Sequence, residues 1–298
     1  MTTSRAPRPS ARLDHDWYDF RTLRDPAPLS LPSGKRLAVM LTIVVQHYRL
    51  DARPPFPLPG SLDRPPPDFG NFTQRQVGQS DGLWRLVEAA GKYGIPVSFV
   101  VEAEAVPLIE DVRNVLELPA HCVVAGGAHA VKLHTSSMSE DEERAIIVES
   151  LRTLQSAYSR RIAGWRSPYC SQSGRTLDLL AACGVKYVCD FANDDRPYAV
   201  RTAHGPLMAV PMSHFYSDLY LVYQCRQRHD EFVDAHRRAV DCLANEADSL
   251  DGACVLPIVL HPWLSGTPHR IRAIEELFDT LHRRSDVTFV TADGVCNG

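Results

Sequence analysis

The sequence lacks the features that would direct a chain to nucleic acid, to a membrane or to an oxidising compartment. It has no basic block: 32 Lys and Arg stand against 36 Asp and Glu, a formal net charge of -4 over 298 residues. A polyanionic partner is therefore not expected. No run of about 18 uninterrupted apolar residues occurs, so no membrane span is expected. Residues 1–31 mix Arg, Pro, Ser and Asp without an apolar signal core, which points to a cytoplasmic protein. The eight cysteines never form a CxxC pair, and some sit in strand-like runs, as Cys189 does after Tyr187-Val188. That spacing argues for buried, reduced thiols and against a zinc knuckle. No internal repeat and no second regime of composition is visible.

What is present is a core-forming chain with 44% hydrophobic residues, long for one domain but ordinary for an α/β barrel. Residues 1–36 read as an extended N-terminal arm lying over a single domain formed by 37–298. The first strand is expected over 36–46, an apolar run buried on both faces. It leads into a Pro-rich stretch, 50–70, with seven prolines from Pro54 to Pro67. Such a stretch cannot be regular structure, and a loop of this length is often functional. Helices are predicted over 81–93, 105–116, 139–159, 175–183, 232–250 and 271–284, with a capping box formed by Ser139 and Glu142. Strands are predicted over 95–101, 122–127, 161–165, 185–190, 207–210, 254–260 and 287–291, and 213–223 reads as a further extended piece. Strict alternation of about eight strands with six helices demands parallel strands and crossovers, hence an α/β barrel or a doubly wound sheet.

In either architecture the ligand site lies at the C-terminal ends of the strands. Chemistry-bearing residues collect there. Strand ends deliver Gln46 and His47; Glu102; Gly126 and Gly127, with His129 and His134 close behind; Trp165 and Arg166; Asp190, then Asp194 and Asp195; and His261 with Trp263. Imidazoles, carboxylates and one guanidinium on a single rim suit general acid/base work or a metal. Each residue also has a plainer role open to it. A lone His after a strand commonly serves packing, Arg166 can pair with Asp190 or Asp195, Asp190 can cap a turn, and 193–197 has turn composition.

Four segments carry a resemblance: Gly164-Trp165-Arg166-Ser167-Pro168, the helix at 175–183, the run 185–198, and Ile258-Val259-Leu260-His261-Pro262-Trp263. They resemble the later motifs of the polysaccharide deacetylase (NodB-like) superfamily, nearest the branch of metal-independent allantoinases and cyclic imide hydrolases. The likeness covers about residues 36–293. It implies a distorted parallel (β/α)7-type barrel and hydrolysis of a non-peptide carbon–nitrogen bond.

The departures are specific. Metal-dependent members end strand one in an acid and strand three in a ligating His, with a second His about four residues later. Here Gln46 and His47, Gly126 (or, with a slip in alignment, His129), and Ala130 occupy those places. A metal-free hydrolase of a small amide, cyclic imide, ureide or N-acyl compound is the leading expectation. His261 or His134 would be the base, with Glu102 as a second candidate. Arg166 and the Gly126 and Gly127 amides would stabilise an oxyanion or hold a substrate carboxylate, and Asp190, Asp194 or Asp195 would orient an imidazole or Arg166. Gln46, His47, Trp165, Asp194 and Trp263 would line the substrate. The alternative cofactor is a divalent metal such as zinc, held by His47, His134 and His261. Non-hydrolytic chemistry (a lyase, isomerase or cyclase) and a non-catalytic small-molecule binder are the competing functions. The expected partner is a small molecule, and a homo-oligomer is left open.

Overall fold

The computed structural model describes residues 13–25, 31, 35–58, 60, 62–250 and 253–297. Its centre is β1 (Leu37–Val45), nine residues buried without exception, as an unbroken apolar run requires. After the Pro-rich loop come α1 (Phe69–Val77), α2 (Leu83–Lys92), β2 (Val97–Val101), α3 (Arg113–Leu116), β3 (Cys122–Ala125), α4 (Glu140–Tyr158), β4 (Gly164–Trp165), α5 (Thr176–Ala182) and β5 (Tyr187–Val188). The second half contains β6 (Tyr198–Val200), β7 (Leu207–Ala209), α6 (His229–Leu250), β8 (Cys254–Leu260), α7 (Pro262–Ser265), α8 (Ile271–His282), β9 (Val287–Phe289) and α9 (Ala292–Asn297).

The strands form one curled sheet in the order β6-β7-β5-β4-β3-β2-β1-β8, with β9 paired to the start of β1. Every pairing is parallel except β6 with β7. This is the expected distorted barrel, with its ladder left open between the edge strands β6 and β8. Two thin contacts bridge that seam: Val255 N–H donates to the Asp195 carbonyl at 2.8 Å, and Ser217 forms an isolated parallel bridge with Val259. Odd-numbered residues of β1 and β2 face the helices and even-numbered ones face the barrel interior, as the two-residue period of a strand dictates. Ala292 and Val295 of α9 close the lower end of that interior.

Several expectations fail locally. Strict alternation stops after β5, where no helix intervenes before β6 or β7, because the Asn-Asp-Asp-Arg-Pro turn reverses the chain. The helix expected over 105–116 is broken into 3-10 turns and the single turn of α3; Pro107 removes one donor from it. Residues 213–223 are not extended but form tight and wide helical turns, His214–Tyr216 and Leu219–Gln224. The Ser139 cap does form, its side chain accepting from Glu142 N–H at 3.2 Å.

Of the N-terminal arm, residues 1–12, 26–30 and 32–34 lie outside the described residues. Residues 13–25 lie against the loop around β6. The Arg196 guanidinium donates to the Thr22 and Asp25 carbonyls at 2.9 and 2.7 Å, and Arg201 N–H donates to the Trp17 carbonyl at 2.7 Å. No helix among the described residues is long and apolar enough to cross a membrane.

One contact sets the position of the post-β8 segment. The wide turn Gly78–Gly82, between α1 and α2, lies directly on Pro262 and Trp263. A Cβ on Gly78 would stand 2.5 Å from Trp263 N, and one on Gly82 would stand 2.2 Å from the Pro262 carbonyl oxygen. Backbone cannot yield to that extent without moving the whole segment. Gly82→Ala should therefore destabilise the protein by about 1–3 kcal/mol through overpacking, read as a lower urea midpoint. An unchanged midpoint would contradict the close approach.

Candidate active site

The site follows from strand parity and register. The final rungs align Val45 with Val101, Val101 with Ala125, Ala125 with Trp165, and Trp165 with Val188. One residue further on, Gln46, Glu102, Gly126, Arg166 and Cys189 share a level. By alternation they are the next interior layer above Val44, Val100, Val124 and Tyr187. On the other side of β1, Ile43 pairs with Leu260, which brings His261 to the Val44 level.

His261 is the best-organised member. It is 2% exposed, and its Nδ1 lies 2.6 Å from Asp218 Oδ1. Asp218, fully buried, also accepts from His261 N–H at 2.8 Å and from Ser265 Oγ at 2.6 Å. A carboxylate only accepts, so Nδ1 carries a proton and Nε2 is the ring nitrogen not engaged by Asp218. Next to it, Trp263 Nε1 donates to Gln46 Oε1 at 3.3 Å, and the Tyr48 hydroxyl, 3.0 Å away, shares that oxygen. Indole N–H is only a donor, which fixes the amide orientation and turns Gln46 Nε2, with its two N–H groups, toward the Tyr169 hydroxyl. Tyr48 in turn meets the Tyr169 hydroxyl at 2.6 Å, linking the ends of β1, β4 and β8.

Arg166 is 7% exposed, forms no ion pair among the described residues, and its Nε has no hydrogen-bond partner. Glu102, 2% exposed, accepts from His47 N–H at 2.6 Å. Burial drives the Glu102 carboxyl well above its ordinary range, with the His47 amide and the Arg166 charge pulling the other way more weakly. Asp190 is also pushed up by burial, against opposing bonds from Gln172 and Ser167. Its oxygens accept from Gln172 Nε2 and Ser167 N–H at 2.7 and 2.8 Å. It thus braces the 167–172 loop, in which Tyr169 and Cys170 both adopt positive φ, 53° and 55°. Non-glycine residues held there mark a conformation imposed by their surroundings.

A roof from the Pro-rich loop covers the mouth. Phe56 and Leu58 pack with Tyr48, Tyr169, Tyr223 and Trp263. Arg75, 2% exposed, pins the roof by donating to the Phe56 carbonyl at 2.6 Å, its guanidinium lying 4.6 Å from the Tyr48 ring centre.

Other rim candidates go elsewhere. Trp165 faces outward into the helix-side core, its Nε1 donating to Ser167 Oγ at 2.9 Å, so it does not line the interior. His134 packs edge-on against Trp165 and bonds Glu143 of α4 at 3.2 Å, behind the sheet rather than in the mouth. Burial lowers its basicity more than Glu143 raises it. Asp194 pairs with Arg196 at 2.8 Å, and Asp195 meets Val255 at the start of β8. That is six residues, or about 20 Å of strand, below His261, because the turn at 193–197 sends the chain back down. His47 is half-buried beside Arg49, Asp51 and Glu104, lining a separate surface depression. The Gly126 amide is spent on the Val101 carbonyl at 2.8 Å and is not open to an oxyanion. Gly127 takes a positive φ of 83° and lies against Pro168.

Sequence reasoning missed Asp218, Tyr48, Tyr169 and the roof anchor Arg75. A signal existed for the first: Asp218 is the only carboxylate between Asp195 and Asp230, and an isolated acid in an aromatic, apolar run needs a buried partner.

Comparison with known proteins bears on the fold. No family model matches the chain. A Schizosaccharomyces pombe (strain 972 / ATCC 24843) protein, named by inference as a polysaccharide deacetylase, is 26% identical over 237 residues, 74% of this chain and 73% of its own. A Pseudomonas aeruginosa PAO1 protein, described as an inferred polysaccharide deacetylase, superposes with a TM-score of 0.82 at 20% identity, covering 92% of this chain and 93% of its own. PuuE allantoinase superposes at 0.81 with 21% identity, covering 93% and 96%. The fold is that of the NodB-like polysaccharide deacetylases. The likeness read from the motifs holds at this level.

Metal-dependent NodB-like proteins hold the ion with an Asp-His-His set. This chain places Gln46, Gly126 and Ala130 there, and Gln46 Oε1 already accepts two hydrogen bonds. Among the described residues no group of three or more His, Cys, Asp or Glu is placed to hold an ion. His47, His134 and His261 lie in three separate environments. The residues present do not fit a divalent metal at that position.

Glu102 supplies a pH test. A carboxyl raised in the folded state gives its full contribution below its unfolded value, here the ordinary 4.5, and loses it as pH climbs toward the folded value. Glu102→Gln should therefore gain stability relative to the wild type as pH rises from about 4.5 to 8, followed by urea midpoints. A difference constant over that range would refute the assignment.

Proposed function

We propose that the chain hydrolyses a non-peptide carbon–nitrogen bond in a small molecule, with His261 and Asp218 activating water and no metal taking part. The reading rests chiefly on the buried His261–Asp218 pair, in which Nδ1 is bonded to the carboxylate and Nε2 is the ring nitrogen left to act on water. Water bound at Nε2 gives up a proton to it as its oxygen bonds to the scissile carbonyl carbon. Asp218 steadies the resulting imidazolium. The oxygen of the tetrahedral adduct takes up the negative charge, and Gln46 Nε2 donates to it. The imidazolium then returns its proton to the leaving nitrogen as the C–N bond breaks. An amine and a carboxylic acid depart.

The roof of Phe56, Leu58, Tyr223 and Trp263 supports a small substrate over a polymer. The likeness to PuuE allantoinase and to the deacetylase-named relatives supports the bond type. The missing Asp-His-His donors support metal independence.

Two measurements test the mechanism. Asp218→Asn and His261→Gln should each lower kcat by about 10²–10⁴-fold, the worth of a positioned general base, while circular dichroism stays native. Retention of near-wild-type kcat by either variant would sink the role. Prolonged dialysis against a chelator should leave kcat unchanged; loss of activity restored by zinc would overturn metal independence.

A further inference from the structure

We infer that His236, on α6, is a positioning residue for the His261–Asp218 pair: its imidazole ties the Tyr216 carbonyl to the helix layer and so fixes where Asp218 stands. This rests on the hydrolase reading above and extends its machinery one layer outward.

His236 interrupts an apolar stripe. The buried residues of α6 are Phe232, His236, Val240, Leu243 and Ala247, three or four apart, the spacing of one helix face. Arg237 and Arg238, next in sequence, are exposed. A leucine would fill the place with no polar atom to satisfy. An imidazole at 0% exposure needs partners for its nitrogens. Nδ1 lies 2.9 Å from the Phe232 carbonyl oxygen, one turn back in the same helix, and Nε2 lies 3.1 Å from the Tyr216 carbonyl oxygen. The first contact stays inside α6, where the helix ladder already offers the His236 amide to that carbonyl. The second crosses to another segment. A carbonyl only accepts, so a ring nitrogen that bonds one must carry a hydrogen. A ring with two hydrogens serves both carbonyls, and a ring with one meets the greater need by keeping it on Nε2. Burial lowers the basicity of the ring, whereas the two carbonyls and, more weakly, Asp218 raise it. Asp218 is thus within electrostatic reach of His236 as well as bonded to His261.

The bond at Nε2 holds the peptide that joins Tyr216 to Ser217, the residue before Asp218. Hydrogen bonds inside that turn are local. Ser217 N–H and its hydroxyl both donate to the His214 carbonyl, at 2.9 and 2.6 Å, and its carbonyl accepts from Leu221 N–H at 2.9 Å. The Ser217 hydroxyl oxygen also accepts from Tyr220 N–H at 3.1 Å. Bonds of this kind stiffen the turn but leave its placement to outside contacts. Ser217 bridges to Val259 of β8, and Asp218 bonds His261 and Ser265 just beyond that strand. Those ties all end on β8 or directly after it. His236 supplies the tie to α6, so the turn is held between strand and helix rather than on the strand alone. A contact of 2.6 Å between Asp218 and His261 needs such fixing, because hydrogen bonds weaken steeply with misalignment.

The test compares two amides of different reach in the full-length protein. A glutamine side-chain nitrogen falls near the place of Nε2 and an asparagine nitrogen near that of Nδ1. His236→Gln therefore keeps a donor for Tyr216, whereas His236→Asn keeps the contact within α6 and loses the other. With isotope-labelled histidine, the ring-nitrogen resonances of His261 report its bond to Asp218 whether or not anything is turned over. His236→Asn should move the His261 Nδ1 resonance from its wild-type position, and His236→Gln should leave it there. Hydrolysis of succinimide, allantoin and N-acetylglycine is assayed alongside. In His236→Asn kcat should fall about 3- to 10-fold with KM unchanged, the worth of one hydrogen bond, and His236→Gln should restore it. Equal behaviour of the two variants, both intact or both impaired, would overturn the inference. So would a wild-type spectrum in which His236 carries its sole hydrogen on Nδ1, a measurement that stands even where the variants do not fold. A His261 resonance that follows the variants, with none of the three compounds turned over, would uphold the positioning role and count against the hydrolase reading. Hydrolysis with an unmoved resonance in His236→Asn would do the reverse.

Discussion

Alternation along parallel strands is the constraint from which the rest of the molecule follows. Once Val45, Val101, Ala125 and Trp165 are in register, the next residue of each strand has no choice of direction. Gln46, Glu102, Gly126 and Arg166 must meet in the interior, whatever the loops do afterwards. The same rule sends Trp165 outward into the helix layer and His134 behind it. The hydrophobic layers below, Val44, Val100, Val124 and Tyr187, fill the barrel and confine the polar groups to its upper end. Loops then refine what parity has assembled: Asp218 orients His261, Trp263 orients Gln46, and Asp190 braces the turn after β4.

Much of the architecture was legible because apolar spacing survives tertiary context in long, regular elements. β1, β8, α4 and α8 are such elements, and the Ser139 cap was readable from its Ser-x-x-Glu spacing. The short elements were not. β4 and β5 each consist of two residues, too few to show a period. The reversal into β6 hides inside a turn-rich segment, where composition says that the chain bends but not which way it leaves. Residues 213–223 look extended because Tyr, Val and Phe favour strands, yet packing against α6 and β8 winds them into helical turns.

Reading the rim as a set of strand ends identified residues but could not rank their directions. Glu102, Gln46, Arg166, His261 and Trp263 come together, whereas Asp194 and Asp195 sit low on the barrel, because position after a strand says nothing about where the following turn leads. The hydrogen-bond partners of the rim residues, Asp218, Tyr48 and Tyr169, were invisible for another reason. Asp218 lies 43 residues from His261, and no local pattern encodes a pairing of that span. Gly78 and Gly82 likewise read as flexible punctuation, although their role is to let two backbones touch.

The open seam has a consequence of its own. Ser217, which bridges to Val259 across the gap, is the residue immediately before Asp218. The barrel is therefore fastened along its weakest edge by the same few atoms that deliver the acid to the imidazole. Parting Ser217 from Val259 would carry the neighbouring Asp218 away from His261 with it. On the hydrolase reading, closing this seam and assembling the His261–Asp218 pair would be a single event.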